Sequence, residues 1–173
     1  MKLKTALILF IVFQLNISIA QNGVQKKYYD NGQLKEIGNY KEGKEDGLWK
    51  YYYENGQIGA TATYVNGLPS GVAKEYHENG QLGTEGNMIN GEYNGAYKEY
   101  NEDGNLVKSG SYKADEEIGV WKKNDFHRNG NLKEEASFNG EKKHGAYKSY
   151  YENGTLKYSA NYINDVIDGL EQK

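Results

Sequence analysis

Residues 47–67 read GLWKYYYENGQIGATATYVNG, two strand-like runs joined by Asn55-Gly56. An Asn-Gly pair between such runs is a strong hairpin signal, because both residues tolerate the left-handed backbone of tight turns. The turn recurs at Asn31-Gly32, Asn79-Gly80, Asp103-Gly104, Asn129-Gly130 and Asn153-Gly154, so that successive spacings are 24, 24, 24, 26 and 24 residues. A second series keeps the same step: Gly23, Gly47, Gly71, Gly95, Gly119, Gly145 and Gly169. A fixed period in this range marks a repeat array. The chain divides into six units, 23–46, 47–70, 71–94, 95–118, 119–144 and 145–168, with a partial seventh at 169–173.

Superposed, the units show what each position requires. Lysine stands three residues after the leading glycine: Lys26, Lys50, Lys74, Lys98, Lys122 and Lys148. An aromatic follows at Tyr28, Tyr52, Tyr76, Tyr100, Phe126 and Tyr150. Beyond the turn come an aliphatic (Leu34, Ile58, Leu82, Leu106, Leu132, Leu156), a small residue (Gly38, Ala62, Gly86, Gly110, Ala136, Ala160) and a large one (Tyr40, Tyr64, Met88, Tyr112, Phe138, Tyr162). Within each strand these columns are separated by even numbers, the period of a β-strand. The pattern predicts an all-β fold, an elongated single antiparallel sheet of consecutive β-hairpin repeats. Twelve strands at about 4.8 Å each give a sheet about 55 Å long, in which each unit touches only its neighbours.

Two registers fit the turn. A two-residue type I′ turn pairs Trp49 with Ala62; a type I turn with glycine in a left-handed bulge shifts the pairing by one. The bulged register is favoured, because it gathers the Leu48, Tyr52, Leu34, small and Tyr40 rows on one face, and the other stays open. In the favoured register Trp49, Tyr97, Trp121 and Tyr147 stand on the opposite face, near Tyr51, Tyr53 and Tyr151.

Composition agrees with a wet-faced sheet. Of 173 residues 22 are Gly, one is Pro and 17 are Tyr, and Cys is absent. Turn-rich sheets need glycine and exclude proline from their interior, and without cysteine there is no disulfide framework. Met1 to Ala20, MKLKTALILFIVFQLNISIA, has two lysines, an apolar run and a small-residue end, the layout of a signal peptide cleaved after Ala20. Its apolar run is shorter than the roughly 20 residues that span a bilayer. The mature chain would be secreted or periplasmic, with net charge −5. That balance argues against nucleic acid and against an anionic membrane surface, except where the lysine column concentrates.

With these columns in place, GLWKYYYENGQIGATATYVNG resembles the variant form of the MORN repeat, and the resemblance runs from about Gly23 to the C-terminus. Ala73 stands where unit two has Trp, unit four ends Tyr112-Lys113-Ala114-Asp115 without its late glycine, and unit five is two residues longer. The resemblance implies a slightly twisted antiparallel sheet of hairpins. It also implies kinship with bacterial YwqK-type antitoxins of toxin–antitoxin systems, and so a protein partner.

No residue set supports catalysis. His77 and His127 occupy matched positions two repeats apart, about 20 Å by strand spacing, too far to share a metal. Asp30, Glu54, Glu78, Glu102 and Glu152 read as turn-tip residues. The segment from Gly38 to Gly47 lacks the Lys-Ser/Thr ending of a phosphate loop. The expectation is a non-enzymatic chain without cofactor or metal. Rings are the binding candidates, since Trp and Tyr dominate interface hot spots: Trp49, Tyr51, Tyr53, Tyr97, Trp121, Tyr147 and Tyr151. The competing reading makes them cross-strand glue. A protein partner comes first. A glycan comes second, because hairpin repeats with Trp-Tyr-Tyr and Asn-Gly resemble glucan- and choline-binding repeats.

Overall fold

The computed structural model describes residues 21–173, so the predicted signal peptide lies outside the described residues. Fourteen strands form one sheet: β1 (Gly23–Tyr28), β2 (Leu34–Lys41), β3 (Lys44–Tyr52), β4 (Ile58–Val65), β5 (Leu68–Pro69), β6 (Gly71–Tyr76), β7 (Leu82–Ile89), β8 (Glu92–Tyr100), β9 (Leu106–Lys113), β10 (Glu116–Phe126), β11 (Leu132–Asn139), β12 (Lys142–Tyr150), β13 (Leu156–Ile163) and β14 (Val166–Ile167). They follow chain order, with only the short β5 set off the path as a partner of β4. Every pairing is antiparallel, as successive hairpins require. The expected elongated antiparallel sheet is what forms. Beyond β14, Gln172 exchanges two backbone hydrogen bonds with Ser159, so the partial seventh unit covers part of the β13 edge.

Two kinds of turn alternate. At each Asn-Gly tip the turn is bulged: Gly56 N–H donates to Tyr53 O at 2.9 Å, Tyr53 N–H donates to Gln57 O at 2.8 Å, and Gly56 has φ 85°. The asparagine stabilises the tip by accepting from the amide two residues on, as Asn55 Oδ1 does from Gln57 N–H at 2.9 Å. Turns between hairpins are two-residue turns, most with both central residues at positive φ, such as Asn66 (54°) and Gly67 (84°), the type I′ pattern; at Gly140-Glu141 the glycine alone has positive φ. Unit four achieves the same turn without glycine. Ala114 and Asp115 sit at 50° and 61°, and Asp115 Oδ1 accepts from Tyr93 N–H at 2.7 Å.

The favoured register needs correction. The tip is bulged as expected, and Tyr52 faces Ile58, but a second bulge at Gly59 follows at once and Tyr51 faces Ala60. The two offsets cancel, and Trp49 pairs with Ala62. Because the second bulge breaks the alternation, the five rows expected on one face split between two. Tyr40, Tyr64, the small row and the Trp49 row share what we term the ring face. Leu48, Lys50, Tyr52 and Ile58 lie on the other, the lysine face. The two-residue insertion in unit five is absorbed in β10, which reaches eleven residues. There Asn124 Nδ2 donates to Leu106 O at 2.9 Å, and the even count preserves the sidedness of the strand.

The sheet has no second layer, so the core is a strip of rings lying on it. Trp49 lies flat over Gly38: a Cβ there would stand 2.0 Å from Trp49 Cδ2. Gly110 makes the same room for Trp121, at 2.2 Å. Both tryptophans are only 2% exposed, and Ala136 and Ala160 are buried beside the neighbouring rings. Rings then meet edge to face across strands, Tyr40 with Trp49 at 5.2 Å and Tyr112 with Trp121 at 4.9 Å between centroids. Each such pair contributes about 0.5–1.5 kcal/mol beyond its buried area.

Candidate functional site

The seven candidate rings all belong to the ring-face side of the sheet, but they differ in what they can offer. Trp49 and Trp121 are buried and form the core strip, so neither presents a contact surface. This corrects their placement as outward-facing anchors, and the physical reason is the cancelled bulge, which turns them onto the small row. Tyr51, Tyr53, Tyr97 and Tyr147 are half-buried, while Tyr151 is exposed. Tyr97 touches Tyr93, Tyr112 and Trp121, and Tyr147 touches Tyr158 and Tyr162. Tyr51 shares a hydrogen bond with Tyr64 at 3.0 Å between hydroxyls. These contacts make most of the set cross-strand glue.

Tyr53 has another duty. Its hydroxyl donates to Tyr76 O, one unit on, at 2.5 Å. Tyr29 does the same to Tyr52 O at 2.6 Å. In units three and five histidine takes the position: His77 Nε2 lies 2.9 Å from Tyr100 O and His127 Nε2 3.0 Å from Tyr150 O. A carbonyl only accepts, so both imidazoles carry their proton on Nε2. A parallel ladder runs through the tips, where Asn55, Asn79 and Asn129 donate through Nδ2 to the carbonyls of Glu78, Glu102 and Glu152. Sequence reading treated the histidines only as possible ligands. Their shared column with Tyr29 and Tyr53 was the signal of a stitching role.

From unit two to unit six the aromatic strip is interrupted once. Unit three carries Ala73 in the tryptophan position, and next to it a groove of about 500 Å³ opens between units two and four. Tyr51, Ala60, Glu75, Thr84 and Glu99 lie in one row across its five strands. Tyr53 and His77 border it, each packed against a glycine at the second bulge: a Cβ at Gly59 or Gly83 would come within 3.3 Å of those rings. The groove is lined by two carboxylates and by no lysine or arginine. Neighbouring phenols are shifted mainly by burial. Burial, reinforced by Glu99, pushes Tyr97 up to about 12, and burial with Glu75 raises Tyr93. Tyr51 rises through burial and its bond to Tyr64.

The lysine face differs in kind. Its aliphatic row is open to solvent, with Val24, Leu48, Val72 and Val120 between 47% and 65% exposed. Beside it Glu85 accepts from Lys98 at 3.1 Å and lies 3.9 Å from Lys74, and Glu135 pairs with Lys148 at 3.0 Å. These pairs tie adjacent strands together, and each contributes little because the partners are partly solvated.

Among the described residues no group of three or more His, Asp or Glu side chains is arranged to hold a metal, and no helix is long and apolar enough to cross a membrane. No curated protein matches the chain. The family model described as MORN repeat variant matches six segments, residues 21–42, 45–66, 69–90, 93–114, 124–139 and 143–164. Its short fifth match begins inside the strand that carries the insertion. Together the six segments span well over half of the sequence, and the chain belongs to the MORN repeat variant family.

Proposed function

We propose that the chain is an exported, non-enzymatic scaffold that holds a protein partner on its ring face, at the groove of units two and three. The observation that supports it is the interruption itself. Around Trp49 and Trp121 the rings are closed over small residues and over each other, while Tyr51 and Tyr53 border an open, polar, aromatic concavity two residues along the strand from Ala73. Tyr51 and Tyr53 are the candidate rings that reach it. Export rests on the leader-like Met1 to Ala20, and a toxin as partner rests on the kinship with antitoxins. An exported chain suits a secreted or envelope-facing toxin.

The mature chain from Gln21, used as bait in an extract of the producing cells, is expected to return one stoichiometric protein. Recovery of abundant background alone would count against the scaffold. Cell fractionation with N-terminal sequencing tests export separately: an intact chain retained in the cytosol removes that part. A second reading, an envelope-glycan binder, has the open Tyr53 ring in its favour, because sugars stack on such rings. If the mature chain fails to sediment with purified cell wall or outer membrane, that reading is gone.

A further inference from the structure

We infer that the groove of units two and three receives a basic side chain, an arginine above all, from the protein partner; this rests on the scaffold reading and names the chemistry of its contact. The molecule supplies its own precedent. In unit one the second-bulge position is Lys35, and its ammonium lies 5.3 Å from the centre of the Tyr29 ring. In unit six it is Lys157, 5.7 Å from the Tyr151 ring. In units two and three the same position is Gly59 and Gly83, so no side chain reaches over Tyr53 or His77. Further along the ring face Lys108 covers Trp121 at 4.4 Å and Lys143 covers Tyr147 at 4.1 Å. Among the described residues, no such contact falls on a ring of unit two or three.

Carboxylates follow the same division. Along the ring face Glu36 pairs with Lys27, Glu117 with Lys108, and Glu134 accepts from Tyr147. Among the described residues Glu75 has only a long contact from Thr84 Oγ1 at 3.4 Å, and Glu99 accepts no hydrogen bond, since Lys108 opposite it is engaged by Glu117. They stand two strands apart, about 10 Å, with Thr84 between them. A lysine stands at this position in units one, five and six, and the groove of units two and three contains none. Arginine fits best, because its planar guanidinium stacks on a tyrosine face while its donors reach a carboxylate.

The test is a titration of the isotope-labelled mature chain with a short Gly/Ser peptide carrying two arginines, followed by amide chemical shifts. A citrulline version of the peptide is the uncharged control. The expected shifts centre on Gly59, Glu75, Gly83 and Glu99, weaken with salt, and disappear with citrulline. Gly59→Lys places the chain's own cation over Tyr53. The fold accepts lysine at this position in units one and six, and affinity should fall about tenfold or more. The pair Glu75→Gln and Glu99→Gln should do the same, while Glu102→Gln at a turn tip leaves affinity unchanged. Shifts spread over both faces, equal binding by the citrulline peptide, or full affinity in Gly59→Lys would overturn the inference. Failure of the scaffold reading is separable: if Gly59→Lys still captures the stoichiometric protein, the scaffold stands and the arginine contact falls. If the wild-type chain captures none, the scaffold falls on its own test.

Discussion

The tryptophan regions and the Ala73 region are built on the same strand pattern and meet solvent in opposite ways. Around Trp49 and Trp121 a large ring fills the space above a glycine, and the sheet gains a core without a second layer. In unit three that ring is missing, Tyr93 lies over the paired Gly86, and two residues along the strand from Ala73 a groove opens beside two bulge glycines, bordered by phenols, imidazole and carboxylates. In a repeat array each unit relies on its neighbours, so one unit can lose its core ring while those beside it keep theirs. The contrast shows that a ring recurring in four of the six units holds the sheet, whereas beside the position where the pattern lapses a groove stays open.

Opening the closed side should have the largest effect. Trp49→Ala removes a buried indole and its bond to Asn39 O at 3.2 Å, and should cost about 3–5 kcal/mol of unfolding free energy in urea. Trp121→Ala should fall at the lower end of that range, because its indole N–H has no acceptor among the described residues. Next is the turn that holds the second aromatic cluster. Asp115→Ala leaves Tyr93 N–H without its acceptor and keeps a left-handed residue without side-chain support; the expected loss is about 1–3 kcal/mol. On the open side, Tyr53→Phe cuts the stitch to Tyr76 O and should cost about 1 kcal/mol. Tyr53→His should recover most of it, since His77 and His127 perform the same task. A histidine variant no more stable than the phenylalanine one would break the equivalence of that column.

The smallest effect is electrostatic. Glu85 lies on the lysine face beneath the groove, and its hydrogen bond from Lys98, outweighing desolvation, holds its carboxyl below the usual range. A lowered folded pKa stabilises the sheet above the unfolded carboxylate value of about 4.3, and the gain is lost as pH falls through the folded value. Urea midpoints should therefore stay level near neutrality and decline in acid, and Glu85→Gln should remove part of that decline. An acid limb unchanged in Glu85→Gln would show that this pair does not brace the open region.

Period, hairpin order and turn chemistry were legible in the sequence, because each rests on residues with narrow backbone preferences, such as Asn55-Gly56. The sidedness of the rows was not. It depends on the second bulge, occupied in successive units by Lys35, Gly59, Gly83, Val107, Lys133 and Lys157, which share no residue type and so form no visible column. A physical clue was present: a tryptophan row needs a small row beneath it, and only the register pairing Trp49 with Ala62 supplies one. Of the residues that line the groove, the sequence reading named Tyr51 and Tyr53. Glu75, Glu99 and His77 were missed, because their proximity comes from the strand order and from the missing side chains of Gly59 and Gly83.

The most direct test sets the two regions against each other in one experiment, urea unfolding and arginine-peptide titration of Trp121→Leu and Gly59→Lys. Trp121→Leu is expected to lower the unfolding midpoint and leave peptide affinity at the wild-type value. Gly59→Lys should keep its unfolding free energy within about 0.5 kcal/mol and lose the peptide. A Trp121→Leu chain that unfolds like wild type but binds the peptide weakly would contradict the division between closed core and open groove.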